Sequence, residues 1–385
     1  MKTDILIVGG GLAGTSLAVA LRKARYSVAL VEARAPAAPA GEWDARVYAV
    51  SPSNAAFLGD LGVWKHLDAE RLARIERMQV FGDEGGLLEF SAYASGVSEL
   101  AWIAESSLVA RELWEHARRQ PNLELLCPAQ PKSLHLGPAA ATLELADGRT
   151  IEAALVVGAD GVQSWVRQQA GLAANVQAYE ELGVVANFST ELPHAGTALQ
   201  WFRADGVLAW LPLPGRRVSI VWSTPEEHGR ELLGLAPHEF CRRVEEAGAR
   251  RLGQMQLVTP PAGFPLRLMR LPRTIAPRLA LIGDAAHAIH PLSGHGINLG
   301  FADARELARL LMRVPAYSDI GDERCLRPYE RCRREEVAAL QWTTDALQKL
   351  FRPRSAILRA ARNAGLNLTG RLPVVRDALV RYALG

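Results

Sequence analysis

Long apolar runs are missing from this sequence of 385 residues. No uninterrupted apolar stretch reaches the roughly 18 residues that a membrane-spanning helix needs, so no spanning helix is expected. Cysteine is scarce. Cys127, Cys241, Cys325 and Cys332 form no CxxC pair and no disulfide-like framework, which points to a reducing compartment and predicts a cytoplasmic location. A large excess of one charge is also lacking. The formal net charge of +3 is too small to argue for nucleic acid, and no nucleic-acid partner is expected. The N-terminus shows no secretory pattern, because Lys2, Thr3 and Asp4 lead directly into a strand-like run. What is present is an ordinary globular composition, 49% hydrophobic and 22% charged, long enough for two domains or one large fold with insertions.

Ile5 to Val8 reads as a buried parallel strand and is followed by Gly9-Gly10-Gly11-Leu12-Ala13-Gly14. Gly9, Gly11 and Gly14 fit GxGxxG. A helical run through Leu17, Ala20 and Leu21 follows, then a second strand, Val28 to Val31, ending at Glu32. This is a βαβ unit with an acid at the end of its second strand. The glycines permit a tight turn, close approach of a pyrophosphate and close helix–strand packing, and Glu32 is placed to accept hydrogen bonds from a ribose. An acid there disfavours NADP but does not separate NAD from FAD.

The chain is organised around Gly283 to Ala304, GDAAHAIHPLSGHGINLGFADA. An apolar run, Leu279 to Ile282, precedes it as a buried strand. A Gly/Pro-rich loop then feeds a helix in which Ala304, Leu307, Ala308 and Leu311 share an inward face, with Asp303, Arg305, Glu306 and Arg309 expected to point away. Such a helix N-terminus offers unpaired N–H groups and partial positive charge. His287 and His290 have a metal-like spacing, but no third ligand cluster accompanies them, and no metal is expected.

Between these motifs, Ser51-Pro52 starts a helix running to about Leu61. Arg46 just before it is a cation in a half-apolar segment. Glu76 to Phe90 reads as a hairpin, and Ser106 or Ser107 as the cap of a helix through Arg119. Arg111 sits in that helix's first turns, an unfavourable place for a cation unless an anion is near. Asp147-Gly148 turns a further hairpin, and a buried strand from Ala154 ends at Asp160-Gly161. From Leu182 to Trp222 short alternating runs predict an antiparallel meander, with most of Trp201, Phe202, Trp210 and Trp222 as core and one face suited to an aromatic apolar ligand. Phe264 to Leu271 is expected to return the chain to the first layer, and Leu326 to Leu347 to be helical. Beyond Lys349 arginines recur among leucines and valines, a basic amphipathic pattern that fits an anionic membrane surface, a partner or a solvated helix.

Three motifs in this order, GGGLAG with Glu32, VVGADGVQSWVR (Val156 to Arg167) and GDAAHAIHPLSGHGINLG (Gly283 to Gly300), resemble the single-component FAD-dependent aromatic hydroxylases of the para-hydroxybenzoate hydroxylase fold. Asp44 to Trp64, Ala198 to Ser223 and the C-terminal end are similar to the ubiquinone-biosynthesis hydroxylase subfamily. The resemblance implies an α/β fold: a Rossmann-like FAD-binding domain (1–74, 103–174 and 266–345), a mainly antiparallel substrate domain (75–102 and 175–265) and a basic helical C-terminal segment (346–385). It implies FAD held at Gly9, Gly11, Gly14, Glu32, Arg46, Arg111, Asp160, Gly161 and Asp284. Pro291, Gly294, Gly296, Ile297 and Asn298 would border the flavin ring. NAD(P)H would act as transient reductant, and one oxygen atom of O2 would be inserted into a polyprenylated phenol or quinol through a C4a-hydroperoxyflavin, the other leaving as water. A peripheral contact with the inner face of the membrane or a quinone-biosynthesis complex is implied for the C-terminal segment. A soluble hydroxylase of small phenols and a non-catalytic flavoprotein scaffold are the alternatives. The subfamily often has Gln where this chain has His295, between two glycines. Histidine titrates near neutrality, so His295, with Pro291, is the candidate catalytic position.

Overall fold

The computed structural model describes residues 1–37, 42–82, 85–289 and 296–351. Strand β1 (Lys2–Val8), helix α1 (Leu12–Ala20) and β2 (Val28–Val31) form the opening βαβ unit. β3 (Val47–Val50) leads through Ser51 into α2 (Pro52–Asp60). β4 (Ala73–Ile75), the hairpin of β5 (Arg77–Phe81) and β6 (Leu87–Ser91), and β7 (Ala101–Glu105) come before α3 (Ser106–Arg118). β8 (Leu123–Leu126), β9 (Pro131–Leu136), β10 (Ala141–Leu145) and β11 (Thr150–Gly158) lead to α4 (Trp165–Gln169). The meander is β12 (Asn175–Thr190), β13 (Thr197–Arg203), β14 (Gly206–Leu213) and β15 (Arg217–Pro225). Then come α5 (Glu226–Gly234), α6 (Pro237–Ala247), β16 (Met255–Leu257), β17 (Ala262–Arg270), β18 (Ile275–Ala276), β19 (Leu279–Leu281), α7 (Gly296–Arg313) and α8 (Glu323–Phe351).

The first sheet has the order β18-β19-β11-β1-β2-β8, parallel from β19 to β8, with β10 and β9 attached through β11. Its central strands are buried on both faces, as continuous Ile/Leu/Val runs require. α1 is buried along most of its length between this sheet, α3 and α7. α1 and α7 approach closely because small residues meet there: a Cβ on Gly300 would lie only 3.4 Å from Cβ of Ala13.

The second sheet has the order β16-β12-β15-β14-β13-β5-β6, with β17 also on β12. β3, β7 and β4 make a small third sheet between the two. The second sheet explains one departure from expectation. Phe264 to Leu271 does not return to the first layer; β17 pairs antiparallel with β12, and the chain rejoins the first sheet at β18. β12 is 16 residues long and takes β15 along one edge and both β16 and β17 along the other. The second arm of the Asp147-Gly148 hairpin and the strand from Ala154 are likewise one continuous strand, β11.

The sheet's two faces differ sharply. Trp201, Trp210 and Trp222 pack with Phe188 and Ile220 against Phe240 and Val244 of α6. The opposite face carries mostly smaller side chains, with Gln200, Ser219 and Ser223 among aliphatic residues, and it is the one that looks towards the first layer. The three tryptophans are core, and the cavity side carries no tryptophan from these strands, its aromatic members being Phe90 and Phe264.

Candidate active site

The glycine loop is shaped by main-chain contacts. A Cβ on Gly14 would lie 2.0 Å from the carbonyl oxygen of Gly9, and one on Gly9 would lie 2.4 Å from that of Ala159. Gly9 also has φ +107°, a conformation that side chains disfavour. Gly11 is the opposite case. A Cβ there would meet nothing within 4 Å, so its backbone fronts open space at the N-terminus of α1. Glu32 Oε2 accepts the Gly10 N–H at 2.6 Å, and Oε1 accepts the Arg34 N–H. α3 runs alongside: Trp114 lies against Gly10, and Arg111, one turn earlier, is exposed and makes no ion pair among the described residues.

The second part of the site is a cavity of about 730 Å³ between the first layer and the small-residue face of the second sheet. One end is lined by Arg46, Tyr48, Gln163, Asp284, His287, Gly296, Ile297 and Asn298. The other runs over Ile75, Met78, Phe90 and Leu100. Val185, Ala198, Ala209, Leu211 and Val221 make most of its floor. Asp284 opens onto the cavity but is walled by protein on most other sides. Burial pushes its carboxyl above the ordinary range, and the positive charges of His287 and Arg46 pull it partly back. Burial likewise raises the Tyr48 hydroxyl, so it stays protonated across the neutral range despite Arg46 beside it. Arg267 also lines the cavity, and neither it nor Arg46 has an ion pair among the described residues.

Several expected site residues spend their side chains inside the protein. Asp160 accepts the Ser164 hydroxyl and the Val166 N–H and so caps α4; Gly161 turns the chain so that Val162 and Gln163 reach the cavity. Asn298 donates to the Ala49 carbonyl at 2.7 Å and accepts the Ser51 N–H at 2.9 Å, tying the start of α7 to β3 and α2. Pro291, Gly294 and His295 lie outside the described residues, as do His290 and the chain beyond Phe351. α3 is not capped by Ser106 or Ser107. Glu105 stands at the cap position, its carboxylate bonded to Arg71, and Asp44 accepts the Ser107 N–H from outside the helix.

The largest departure concerns Asp303. It does not point away from the protein but is fully buried. Its Oδ2 accepts from His287 Nε2 at 2.7 Å and from the Gly283 N–H at 2.8 Å, and its Oδ1 accepts from Arg333 Nε at 2.7 Å. Burial alone would raise this carboxyl, but the charges of His287 and Arg333 outweigh it and hold it below the usual range. The triad fixes three pieces of chain at the cavity end: the turn after β19, the start of α7 and α8. It also occupies His287 Nε2. A signal was available in the sequence, because Leu299, Asp303 and Leu307 recur at helical spacing on one stripe.

A family model described as an FAD binding domain matches residues 2–343. The ubiquinone hydroxylase UbiL of Rhodospirillum rubrum is 33% identical over 384 residues, covering 99% of this chain and 89% of that protein. The 3-demethoxyubiquinol 3-hydroxylase of Escherichia coli is 31% identical over 388 residues, covering 100% of this chain and 98% of that protein. The chain belongs to the FAD-dependent ubiquinone-biosynthesis hydroxylases. Among solved structures, PqsL of Pseudomonas aeruginosa has a TM-score of 0.78 at 25% identity, covering 95% of this chain and 99% of that one. This hydroxylase is therefore an FAD-dependent monooxygenase, and its residues fit that cofactor. Gly11 leaves room where a pyrophosphate would lie, a carboxylate stands at the end of β2, and the unpartnered Asp284 carboxylate faces the cavity in front of the α7 N-terminus.

Proposed function

We propose that this hydroxylase inserts one oxygen atom of O2 into the aromatic ring of a polyprenylated phenol or quinol on the route to ubiquinone, with NAD(P)H as reductant. The observation that carries the reading is the volume and lining of the cavity. It begins at the polar end beside Asp284 and Gly296 and continues as an apolar channel past Met78 and Phe90. A ring at the first end and an isoprenoid tail along the channel would bury apolar surface throughout.

When bound, FAD supplies the hydride acceptance and the oxygen activation that side chains do not. The roles assigned to residues are these. The main chain at Gly11 approaches the pyrophosphate, with Gly9 and Gly14 allowing the turn, and Glu32 accepts from the adenosine ribose. Arg111 and Arg46 supply positive charge to the phosphates, and Asp284 accepts from the ribityl hydroxyls. Asp160 and Gly161 hold the turn that closes the cavity. The N–H groups of Gly296, Ile297 and Asn298 stabilise negative charge beside the flavin ring, with Pro291, Gly294 and His295 completing that border. Tyr48, kept protonated, can donate a hydrogen bond into the cavity but does not act as a base. The aliphatic floor excludes water, which protects against unproductive release of peroxide. The discontinuous FAD-binding and substrate domains are assigned to the two large sheets, with the chain rejoining the former at β18.

The basic segment after α8 is assigned a peripheral contact with an anionic membrane surface, which suits a bilayer-borne substrate. None of the helices among the described residues is long and apolar enough to cross a membrane.

The test is mass spectrometry of quinone intermediates in a deletion strain, with 18O2 labelling of the product made by the purified enzyme. A hydroxylation intermediate should accumulate in the strain and label should appear in the ring. An unchanged quinone profile would sink the proposal. Truncation after Phe351 should release the protein from anionic vesicles; retention would remove the assignment of that segment.

A further inference from the structure

Gln200 is out of keeping with the surface on which it stands. It lies on β13, in the middle of the cavity floor. Its cross-strand neighbours are Ala209 on β14 and Val80 on β5, and the same row continues through Val221 on β15 to Val185 on β12. None of these four side chains carries a donor or an acceptor. Gln200 is only 7% exposed, it borders the cavity, and its carboxamide makes no hydrogen bond to any described residue.

A primary amide carries two donors and an oxygen with two lone pairs, and burying it without partners is costly. Other buried amides nearby have a partner for the nitrogen, although Asn187 Oδ1 has none among the described residues. Asn187 donates to the Asp44 carbonyl, and Asn298 bonds β3 and α2. The unpaired polar atoms on the sheet's far side, Nε1 of Trp210 and of Trp222, are sealed in the core; on the cavity side the small hydroxyl of Ser219 on β15 is also unpaired among the described residues. Gln200 faces space that a ligand can enter.

We propose that Gln200 determines specificity by hydrogen-bonding an oxygen substituent of the substrate's aromatic ring. The inference rests on the proposed phenolic substrate class. The amide both donates and accepts, so it serves a hydroxyl, a carbonyl or an ether oxygen. It does not titrate, so it orients the ring oxygen without taking its proton. An oxygen-free ring in the same place would leave the amide buried and unpaired, and a site of that kind rejects such an analogue strongly.

The test is calorimetric binding of a matched pair to the flavin-loaded enzyme: a phenol bearing two isoprene units ortho to the hydroxyl, and the same molecule without the hydroxyl. The wild type should bind the phenol about tenfold more tightly than the hydrocarbon, the size expected for one hydrogen bond to a buried amide. Gln200→Met, similar in length and apolar, should bind both equally, with the hydrocarbon bound at least as tightly as by the wild type, because no amide is left unpaired beneath it. Gln200→Asn, which withdraws the amide by one methylene, should also lose most of the ratio, so poor folding of one variant does not decide the question. A merely structural role would weaken both ligands together. Retention of the tenfold ratio in Gln200→Met, or its absence in a wild type that binds both ligands, overturns the assignment. A wild type that binds neither overturns the substrate class and this assignment together.

Discussion

The glycine loop between β1 and α1 and the cavity floor on β13 to β15, both assigned to one reaction in the proposed function, are built on opposite principles. The loop is defined by main chain. Its shape exists because side chains are missing, and a Cβ at Gly14 would fall within 2.0 Å of a carbonyl oxygen. The floor is defined by side-chain size. Its backbone is an ordinary antiparallel sheet, and the cavity exists because Ala198, Ala209 and Val221 occupy one face while tryptophans occupy the other. A backbone-defined site tolerates few substitutions at its tight glycines, whereas a floor of small side chains can be reshaped without disturbing the sheet.

The largest effect is expected from the far face of the floor. Trp210→Ala removes a fully buried indole and should cost about 3–5 kcal/mol in denaturant unfolding. A loss below about 1 kcal/mol would mean that this face is not the core.

Asp303→Asn should cost about 3 kcal/mol, because it leaves the buried guanidinium of Arg333 with Glu336, a half-exposed carboxylate, as its remaining charged partner. The pH dependence has a definite sign. The carboxyl is held below its usual range in the fold, so its contribution is complete above the unfolded value of about 4 and is lost only as pH falls through the lower folded value. The stability gap between wild type and Asp303→Asn should therefore close only below about pH 4. A gap already closed at pH 5 would contradict the burial of a charged triad.

Gly14→Ala should cost about 1–3 kcal/mol and abolish flavin retention, because the main chain must move to admit the methyl group. Gly11→Ala gives the sharper comparison. Its Cβ has free space, so the melting temperature of the flavin-free protein should stay within about 2 °C while flavin content after gel filtration falls. Equal behaviour of the two variants would remove the distinction between a turn glycine and a ligand-facing glycine.

The smallest effect on stability belongs to the cavity side of the floor. Ala209→Leu points into open volume and should change unfolding by less than about 1 kcal/mol, while binding of the two-isoprene phenol weakens at least tenfold. Unchanged binding would place the substrate elsewhere.

Much of the site was legible because its constraints are local. Gly9, Gly11, Gly14 and Glu32 sit within one βαβ unit, and strand runs with flanking glycines identify each other over a few residues. The Asp147-Gly148 hairpin and the start of α2 at Ser51-Pro52 were legible for the same reason. What was not legible depended on distant partners. Asp303 looked like one more surface charge until Arg333 on α8 and His287 were seen against it. β17 alternates like any strand, and only its pairing with the long β12 shows which sheet it joins.

The sequence by itself determined a dinucleotide cradle, a parallel layer and an antiparallel meander. Glycine conformation, apolar runs and two-residue alternation are properties of neighbouring residues. Tertiary structure decided the rest. Alternation divides a strand into two faces but does not say which face meets α6 and which meets the cofactor layer. That choice made Trp210 core and turned Gln200 towards the cavity, because it depends on which apolar surface a helix from elsewhere in the chain covers.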